Sequence, residues 1–389
     1  VAGLIVKPRA RIFHGHDWVY STEVLKTFGN PAPGDVVSLK DGRDRLIGSA
    51  IYNPASQIVA RRFSRQRQAL DAEFFERRIK QAIAYRRRRG IDPRLCRLVW
   101  SESDGLPGLI VDRYEDSLVL QTLTLAMDQR KELIAATLGA LLEPAAIIER
   151  NDAPVRRAEG MELVTGLMAG AAPGPVDILF DGLHFTIDLM AGQKTGFYLD
   201  QAGNCAAVAQ SAGGRRVLDC FANQGAFAIA CAKQGAASVV GVEISATAIA
   251  AARSNAERNN VEVEWREADV FDFLPSEERR GAQYDLIILD PPSFAKSRSQ
   301  RGDAMRGYKE IHMRALKLLS PDGLLATFCC SHHVSTADFR EMLIEASVDA
   351  HRGVRLLRRY VQSPDHPIVP TIPETEYLQG YLLESMPGR

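Results

Sequence analysis

The sequence predicts an α/β, Rossmann-like domain in its C-terminal half, preceded by an N-terminal β-barrel lobe and a small central α+β domain. Three observations predict it. Short strand-like runs broken by Gly, Pro, Asn and Asp crowd residues 1–68. From Val176 onward, strand-like and helix-like segments alternate. Between them, at 169–175, the stretch AGAAPGP reads as a linker. At 389 residues the chain exceeds one ordinary domain. The expected boundaries are 1–68, 69–175 and 176–389.

Composition narrows the class. Hydrophobic residues make up 46% and charged residues 25%, as in ordinary globular protein. No run of 18 apolar residues occurs, so no membrane span is expected. The opening VAGLIVKPRARIF turns basic early and lacks a signal-peptide layout, which makes a cytoplasmic protein the expectation. Six cysteines are scattered without a C-x-x-C pair or zinc-like His spacing, so neither a metal nor disulfides are expected. The formal net charge is zero, yet residues 1–100 carry 20 Lys and Arg against 9 Asp and Glu. That asymmetry fits a basic, nucleic-acid-facing lobe joined to an acidic one, or a set of solvated basic faces.

The elements follow in order. GDVVSLKDG, RLIGSAIYNP and QIVARRFS are the strands of the first lobe, and Arg61, Arg62, Arg65 and Arg67 end it. Residues 70–90 form a helix: Asp71 is the N-cap, Phe74, Phe75, Ile79, Ala82 and Ile83 make its apolar stripe, and Gly90 stops it. Arg86 to Arg89 lie near its end, where they complement the helix dipole or contact RNA. In the central region RLVWSES, GLIVDRY and SLVLQTLTL are strands, DQRKELIAATLGALLE is a helix, and AAIIERN and MELVTGL are strands. Then come RRVLDCF, SVVGVEI, VEVEWREAD, YDLIILD and GLLATFCC, strands with helices between them. This is a mostly parallel, doubly wound sheet.

Such sheets bind ligands beyond the carboxyl ends of their strands. The first strand ends at Asp219 and runs through CFANQGAF into a helix, with Gly225 allowing close backbone approach. No G-x-G-x-x-G is present, so a dinucleotide pyrophosphate is poorly supported. Glu243 ends the second strand, 18 residues after Gly225, where an acid can accept from ribose hydroxyls. Asp269 ends the third and Asp290 the fourth. One Asp at a strand end reads as a helix cap; the ordered set of Asp219, Gly225, Glu243, Asp269 and Asp290 points to S-adenosylmethionine (SAM). Asp290-Pro291-Pro292 is a rigid polar tip suited to an amine-bearing base, against a plain Pro-rich turn. Cys330 ends the fifth strand. A thiolate adding to cytosine C6 makes C5 nucleophilic, whereas methylation of an exocyclic amine needs no cysteine. Adjacent strand residues face opposite ways, so Cys329 is expected to be buried.

These residues resemble the RlmI-like family of bacterial large-subunit (23S) rRNA cytosine-C5 methyltransferases over essentially the whole chain. HDWVYSTEV and YNPASQIVARRFS resemble that family's PUA domain; SESDGLPGLIVDRY and IIERNDAPVRRAEG its central part. DLMAGQKTGFYLDQ, VLDCFANQGAFAIACAKQGA, DPPSFAKS, GYKEIHMRAL, TFCCS and DHPIVPTIPETEYLQGY resemble its class I methyltransferase domain. The resemblance implies Cys330 as nucleophile and Asp290 as the residue orienting the cytosine. It implies SAM contacts from Lys194, Thr195, Gly196, Phe197, Asp219, Phe221, Asn223, Gly225, Glu243, Ile244, Asp269, Val270 and Asp290. It implies RNA as partner, held by the basic lobe through residues such as Arg61, Arg62, Arg65, Arg86 and Arg87, and leaves a homodimer open.

The chain departs from the family pattern at Ala202 and Cys205, where Arg is usual, and at Cys329, where Ser is usual. Ser293 stands where many RNA cytosine-C5 enzymes carry a second cysteine, and the base that removes the C5 proton is unassigned; His332 and His333 are close to Cys330 in sequence. Two other readings stay open: an rRNA guanine methyltransferase on the same fold, and a non-catalytic RNA-binding assembly factor.

Overall fold

The computed structural model describes residues 2–190, 195–294 and 301–386. It packs into two compact units: 1–178 with 187–199 and 364–375, and 179–186 with 200–363 and 376–389.

The first unit opens with β1 (Gly3–Val6), β2 (Trp18–Val19), β3 (Val24–Phe28), β4 (Val36–Lys40), β5 (Leu46–Tyr52) and β6 (Ala60–Ser64). They form one sheet in the order β2-β6-β5-β4-β1-β3. Alternation buries Leu4, Val6, Val37, Leu39, Ala50 and Ala60 on its inner side. Helix α1 (Ala72–Arg88) follows, its start fixed by Asp71, which accepts a hydrogen bond from the Phe74 amide. Gly90, at φ +68°, turns the chain after it.

A second sheet of the same unit holds β7 (Leu95–Trp100), β8 (Leu109–Tyr114), β9 (Ser117–Thr122), β10 (Ala146–Asn151) and β11 (Val164–Gly170), in the order β11-β10-β9-β8-β7. Helices α2 (Leu125–Asp128), α3 (Lys131–Leu142) and α4 (Val155–Ala158) connect its strands. Phe74, Phe75 and Ile79 of α1 share a core with Leu98, Val111, Leu118 and Leu138, and with Ile51 and Phe63 of the first sheet. That common core is why residues 1–68 and 69–175, separable by composition, make one compact unit.

The hairpin β12 (Val176–Phe180) and β13 (Leu183–Ile187) comes next, where the sequence reading placed no strands. Its residues His184 and Thr186 donate their amides to Asn259 and Asn255. The second unit continues with α5 (Asn204–Ala209), β14 (Arg216–Cys220), α6 (Ala226–Lys233), β15 (Ser238–Glu243), α7 (Ala246–Arg258), β16 (Glu264–Glu267), α8 (Val270–Arg279), β17 (Tyr284–Leu289), α9 (Arg301–Leu318), β18 (Leu319–Cys329), α10 (Thr336–Asp349), β19 (Val354–Val361) and β20 (Gln379–Ser385). The sheet order is β16-β15-β14-β17-β18-β20-β19. All pairings are parallel except those of β20, which runs antiparallel between β18 and β19. The central strands β14, β17 and β18 are near-continuous apolar runs, buried along most of their length as strands of a parallel sheet covered on both faces are. Strand order reverses between β14 and β17, the topological switch where such sheets bind ligands. Among the described residues no helix is long and apolar enough to cross a membrane.

Candidate active site

The residues singled out at strand ends come together at that switch. Cys220 lies opposite both Val242 of β15 and Leu289 of β17, and Leu289 lies opposite Thr327 of β18. In-register parallel pairing therefore sets Asp219, Glu243, Asp290 and Cys330 along one edge of the sheet.

The turn after β14 is tightly wound. Phe221 (φ +63°), Asn223 (φ +48°) and Gly225 (φ +89°) all adopt left-handed backbone. For a bulky residue such as Phe221 this conformation is costly and marks a constrained site. Glu243 fixes the turn: one carboxylate oxygen accepts from the Asn223 amide at 3.0 Å, the other from the Ser245 amide at 2.9 Å. Each oxygen keeps capacity for a ligand hydroxyl. Gly225 has a second reason to be glycine. A Cβ there would stand 2.7 Å from the Trp265 ring, and one at Gly241 would stand 2.4 Å from it. Trp265, not anticipated from the sequence, packs across both glycines.

Asp219 is 1% exposed. One of its oxygens accepts from the Ala228 amide in the first turn of α6 at 3.0 Å, while the other has no hydrogen-bond partner. Burial, followed by the nearby charges of Asp290 and Glu243, pushes its carboxyl well above the usual range. Converging carboxylates around a buried, unsatisfied oxygen form a site for a cationic ligand. SAM, with its sulfonium and ammonium groups, fits that demand. Asp269 caps α8, accepting from the Phe271 amide at 2.8 Å. Val270, expected among the SAM contacts, is buried in the core at 2% exposure, because the first residue of α8 faces inward. The apolar surface here belongs to Ile244 and Phe271, 66% and 37% exposed.

Asp290 accepts from Gln201 Nε2 at 3.1 Å, and Gln201 in turn accepts from Asn204. Cys330 Sγ lies 3.9 Å from the Pro291 carbonyl oxygen. Of the six cysteines the other five are buried and Cys330 is partly exposed. Burial pushes the Cys96 thiol up to about 12 and raises those of Cys205, Cys220, Cys231 and Cys329. A buried thiol held protonated is a poor nucleophile. Cys329 is fully buried, as strand alternation predicts.

Comparison with known proteins places the chain in a family. Residues 161–378 match the S-adenosylmethionine-dependent methyltransferase family, and residues 4–65 match the PUA-like domain. Ribosomal RNA large subunit methyltransferase I of Erwinia tasmaniensis is 37% identical over 386 residues, covering 97% of this chain and 98% of the relative. The protein of the same name from Shewanella denitrificans is 40% identical over 375 residues, covering 94% of each. The chain belongs to the ribosomal RNA large subunit methyltransferase I family.

The fold of this SAM-dependent methyltransferase is shared more widely. A Streptococcus mutans protein described as a SAM-dependent methyltransferase superimposes with a TM-score of 0.85 at 21% identity, over 99% of this chain and 100% of that one. SMU.776, described as a methyltransferase in complex with SAH, gives 0.86 at 21% identity over the same shares.

In this family member the remaining expected site residues divide. Lys194 lies outside the described residues. Thr195, Gly196 and Phe197 are buried in the first unit. There the Thr195 hydroxyl donates to Asp112 at 2.5 Å, and the Phe197 amide donates to the Tyr114 hydroxyl at 3.1 Å. Arg97 holds Asp112 through two hydrogen bonds of 2.7 and 2.8 Å.

The arginines expected to contact RNA divide by burial. Arg86 is 2% exposed, paired with Asp104 at 2.6 Å and donating to the carbonyls of Arg97 and Asp365. Arg62 is 7% exposed and paired with Asp17. Arg61 bridges to Glu102 at 2.8 Å and lies over the Trp18 ring. Arg62 and Arg86 are buried and ion-paired, which keeps their guanidinium groups from a phosphate, and Arg61 is half-buried and held by Glu102. Arg65 and Arg87 are exposed, as are Arg88 and Arg89. Among the described residues no group of three His, Cys, Asp or Glu is placed to hold a metal ion.

Proposed function

We propose that this methyltransferase forms 5-methylcytidine in large-subunit ribosomal RNA through a cysteine adduct at cytosine C6. The observation that carries this reading is Cys330: the one partly exposed thiol, just after the strand that pairs with the one leading to Asp290, 3.9 Å from the Pro291 carbonyl. Methylation of an exocyclic amine gives a cysteine in that place no task. The names of the relatives supply the RNA class.

Each residue then has a role. SAM supplies an electrophilic methyl group, held by Asp219, Glu243 and Asp269, with Ile244 and Phe271 offering apolar surface. Asp290 accepts a hydrogen bond from the cytosine amino group, its carboxylate oriented by Gln201. Cys330 attacks C6 and later leaves. The base must be extruded from its stack to reach the sheet edge. Sequence-specific reading of RNA favours unpaired segments, so naked or partly assembled rRNA is the expected substrate. Arg65 and Arg87 to Arg89 provide exposed charge for phosphate.

The test is methylation of unmodified large-subunit rRNA with labelled SAM by wild type and Cys330→Ala, followed by nucleoside analysis. Label in 5-methylcytidine that vanishes in the variant supports the reading. Label in methylated guanosine that survives the variant favours the guanine reading. No label in any nucleoside, with SAM still bound, favours an assembly factor.

A further inference from the structure

A cytosine-C5 methyltransferase needs a base for the C5 proton, and the residues placed above do not supply one. Topology restricts where it can stand. Asp219, Glu243 and Asp269 follow β14, β15 and β16, on one side of Asp290 at the tip of β17. Cys330 follows β18, on the other side. A cytosine held at Asp290 therefore turns one face toward the methyl-donor residues and the other toward the thiol. Sulfur adds to C6 from one face and the methyl group reaches C5 from the opposite face. The C5 hydrogen is left on the thiol's face. Its acceptor must come within about 2.6–3.2 Å, directly or through one water, and so must stand beside Cys330. Asp219 and Glu243 are on the wrong side.

His312 and Ser331 are enclosed by the fold. His312 is fully buried and its pKa is lowered to about 4 by burial. Its Nδ1 donates to the Tyr308 carbonyl, so its Nε2 accepts from the Thr327 hydroxyl, leaving no nitrogen for a substrate. Ser331 is buried. His332 is different: exposed, and two positions beyond Cys330. Its ring lies against Tyr377, centroids 5.2 Å apart and planes at 34°. Tyr377 is itself fixed. Its hydroxyl donates to Asp200 at 2.7 Å and its amide to Gln362 at 3.0 Å. An exposed imidazole backed by an anchored aromatic ring is restrained yet reachable, as a general base must be. His333 is exposed as well, but its ring has no such backing among the described aromatic contacts.

We propose that His332 is the catalytic base that removes the C5 proton, with Tyr377 and Asp200 as positioning residues; this rests on the cytosine-C5 reading above. The steps balance. The Cys330 thiolate forms a bond to C6 and moves an electron pair onto C5. That pair takes the methyl group, and S-adenosylhomocysteine departs. A nitrogen of His332 takes the C5 proton. The former C–H pair restores the C5–C6 double bond, and the thiolate is expelled. The imidazolium returns its proton to water, to which the exposed ring is open.

The experiment uses rRNA carrying tritium at cytidine C5, with full-length wild type, His332→Ala and Tyr377→Phe. Wild type releases one tritium per methyl group transferred and yields 5-methylcytidine. In His332→Ala methyl transfer proceeds for one turnover, tritium release slows by about 100-fold or more, and methylated RNA stays bound to Cys330 through denaturation. Added imidazole restores release, which a merely structural role would not allow. Tyr377→Phe shows a smaller slowing of the same step. Tritium release by His332→Ala at the wild-type rate overturns the proposal, as does loss of adduct and methyl transfer together. A wild type that gives no 5-methylcytidine overturns the underlying reading instead.

Discussion

Cys330 Sγ stands 3.9 Å from the Pro291 carbonyl oxygen, which ties the candidate nucleophile to the tip that carries Asp290. The other five thiols are buried. Alkylation of the folded protein with iodoacetamide should therefore modify Cys330 first, with the remaining five reacting only after unfolding. Peptide mass mapping reads this directly. Early modification of Cys205 or Cys329 would contradict the burial on which the choice of nucleophile rests.

Under the proposed function, Asp219 couples stability to donor binding. Its carboxyl pKa is raised by burial first and by Asp290 and Glu243 next. A carboxyl whose folded value is raised binds its proton more tightly folded than unfolded. It contributes stability at low pH that is lost as pH rises through the folded value. Asp219→Asn removes that loss. Its thermal midpoint at pH 8 should match or exceed wild type, while its SAM affinity falls by about tenfold or more, as about 1.4 kcal/mol of lost attraction requires. Unchanged affinity in calorimetry would remove Asp219 from the donor site.

His312 gives a pH signature of opposite sign. Burial lowers its pKa from 6.5 to about 4. Between those values the unfolded chain takes up a proton that the folded chain refuses, so stability falls as pH drops through this window. The loss is on the order of 3 kcal/mol by pH 4. His312→Gln cannot titrate, and denaturant unfolding from pH 7 to pH 4 should show a flatter profile than wild type. An equally steep profile would place the acid sensitivity elsewhere.

Arg86 and Arg87 are adjacent in sequence and should behave in opposite ways. Arg86→Ala leaves Asp104 buried without its cation and should cost about 3–5 kcal/mol of stability. Arg87→Ala should leave stability within about 0.5 kcal/mol. In RNA binding it should lower affinity and reduce the slope of log K against log salt by about 0.7–0.9. Chemical denaturation and a salt titration separate the two. Reversed effects would mean the burial pattern misassigns them.

What could be read from the sequence depended on range. Asp219, Glu243, Asp290 and Cys330 were legible because each ends an apolar run, and a parallel sheet aligns such ends without further information. The fate of the arginines was not legible. Arg62 is settled by Asp17, 45 positions away, and Arg86 by the Asp365 carbonyl, 279 positions away. Nothing local to the Arg86–Arg89 run distinguishes the buried member from the exposed ones except helical phase. Phase was available for Val270 and Phe271, where the apolar stripe of α8 points the first inward and the second out. The insertion of β20 between β18 and β19 depends on pairing between Leu324 and Glu384, which no short pattern announces.

In the proposed reaction Cys330 forms a covalent bond to cytosine C6 during methyl transfer. The most direct measurement is incubation of the full chain and SAM with large-subunit rRNA transcribed with 5-fluorocytidine, followed by denaturation and peptide mapping. Fluorine at C5 cannot leave as a cation, so the methylated adduct cannot break down. A stable RNA-linked peptide with the attachment at Cys330, absent in Cys330→Ala, is the expected result. Active enzyme that methylates unsubstituted rRNA but yields no adduct with the fluorinated RNA, or one attached at another residue, would contradict the mechanism.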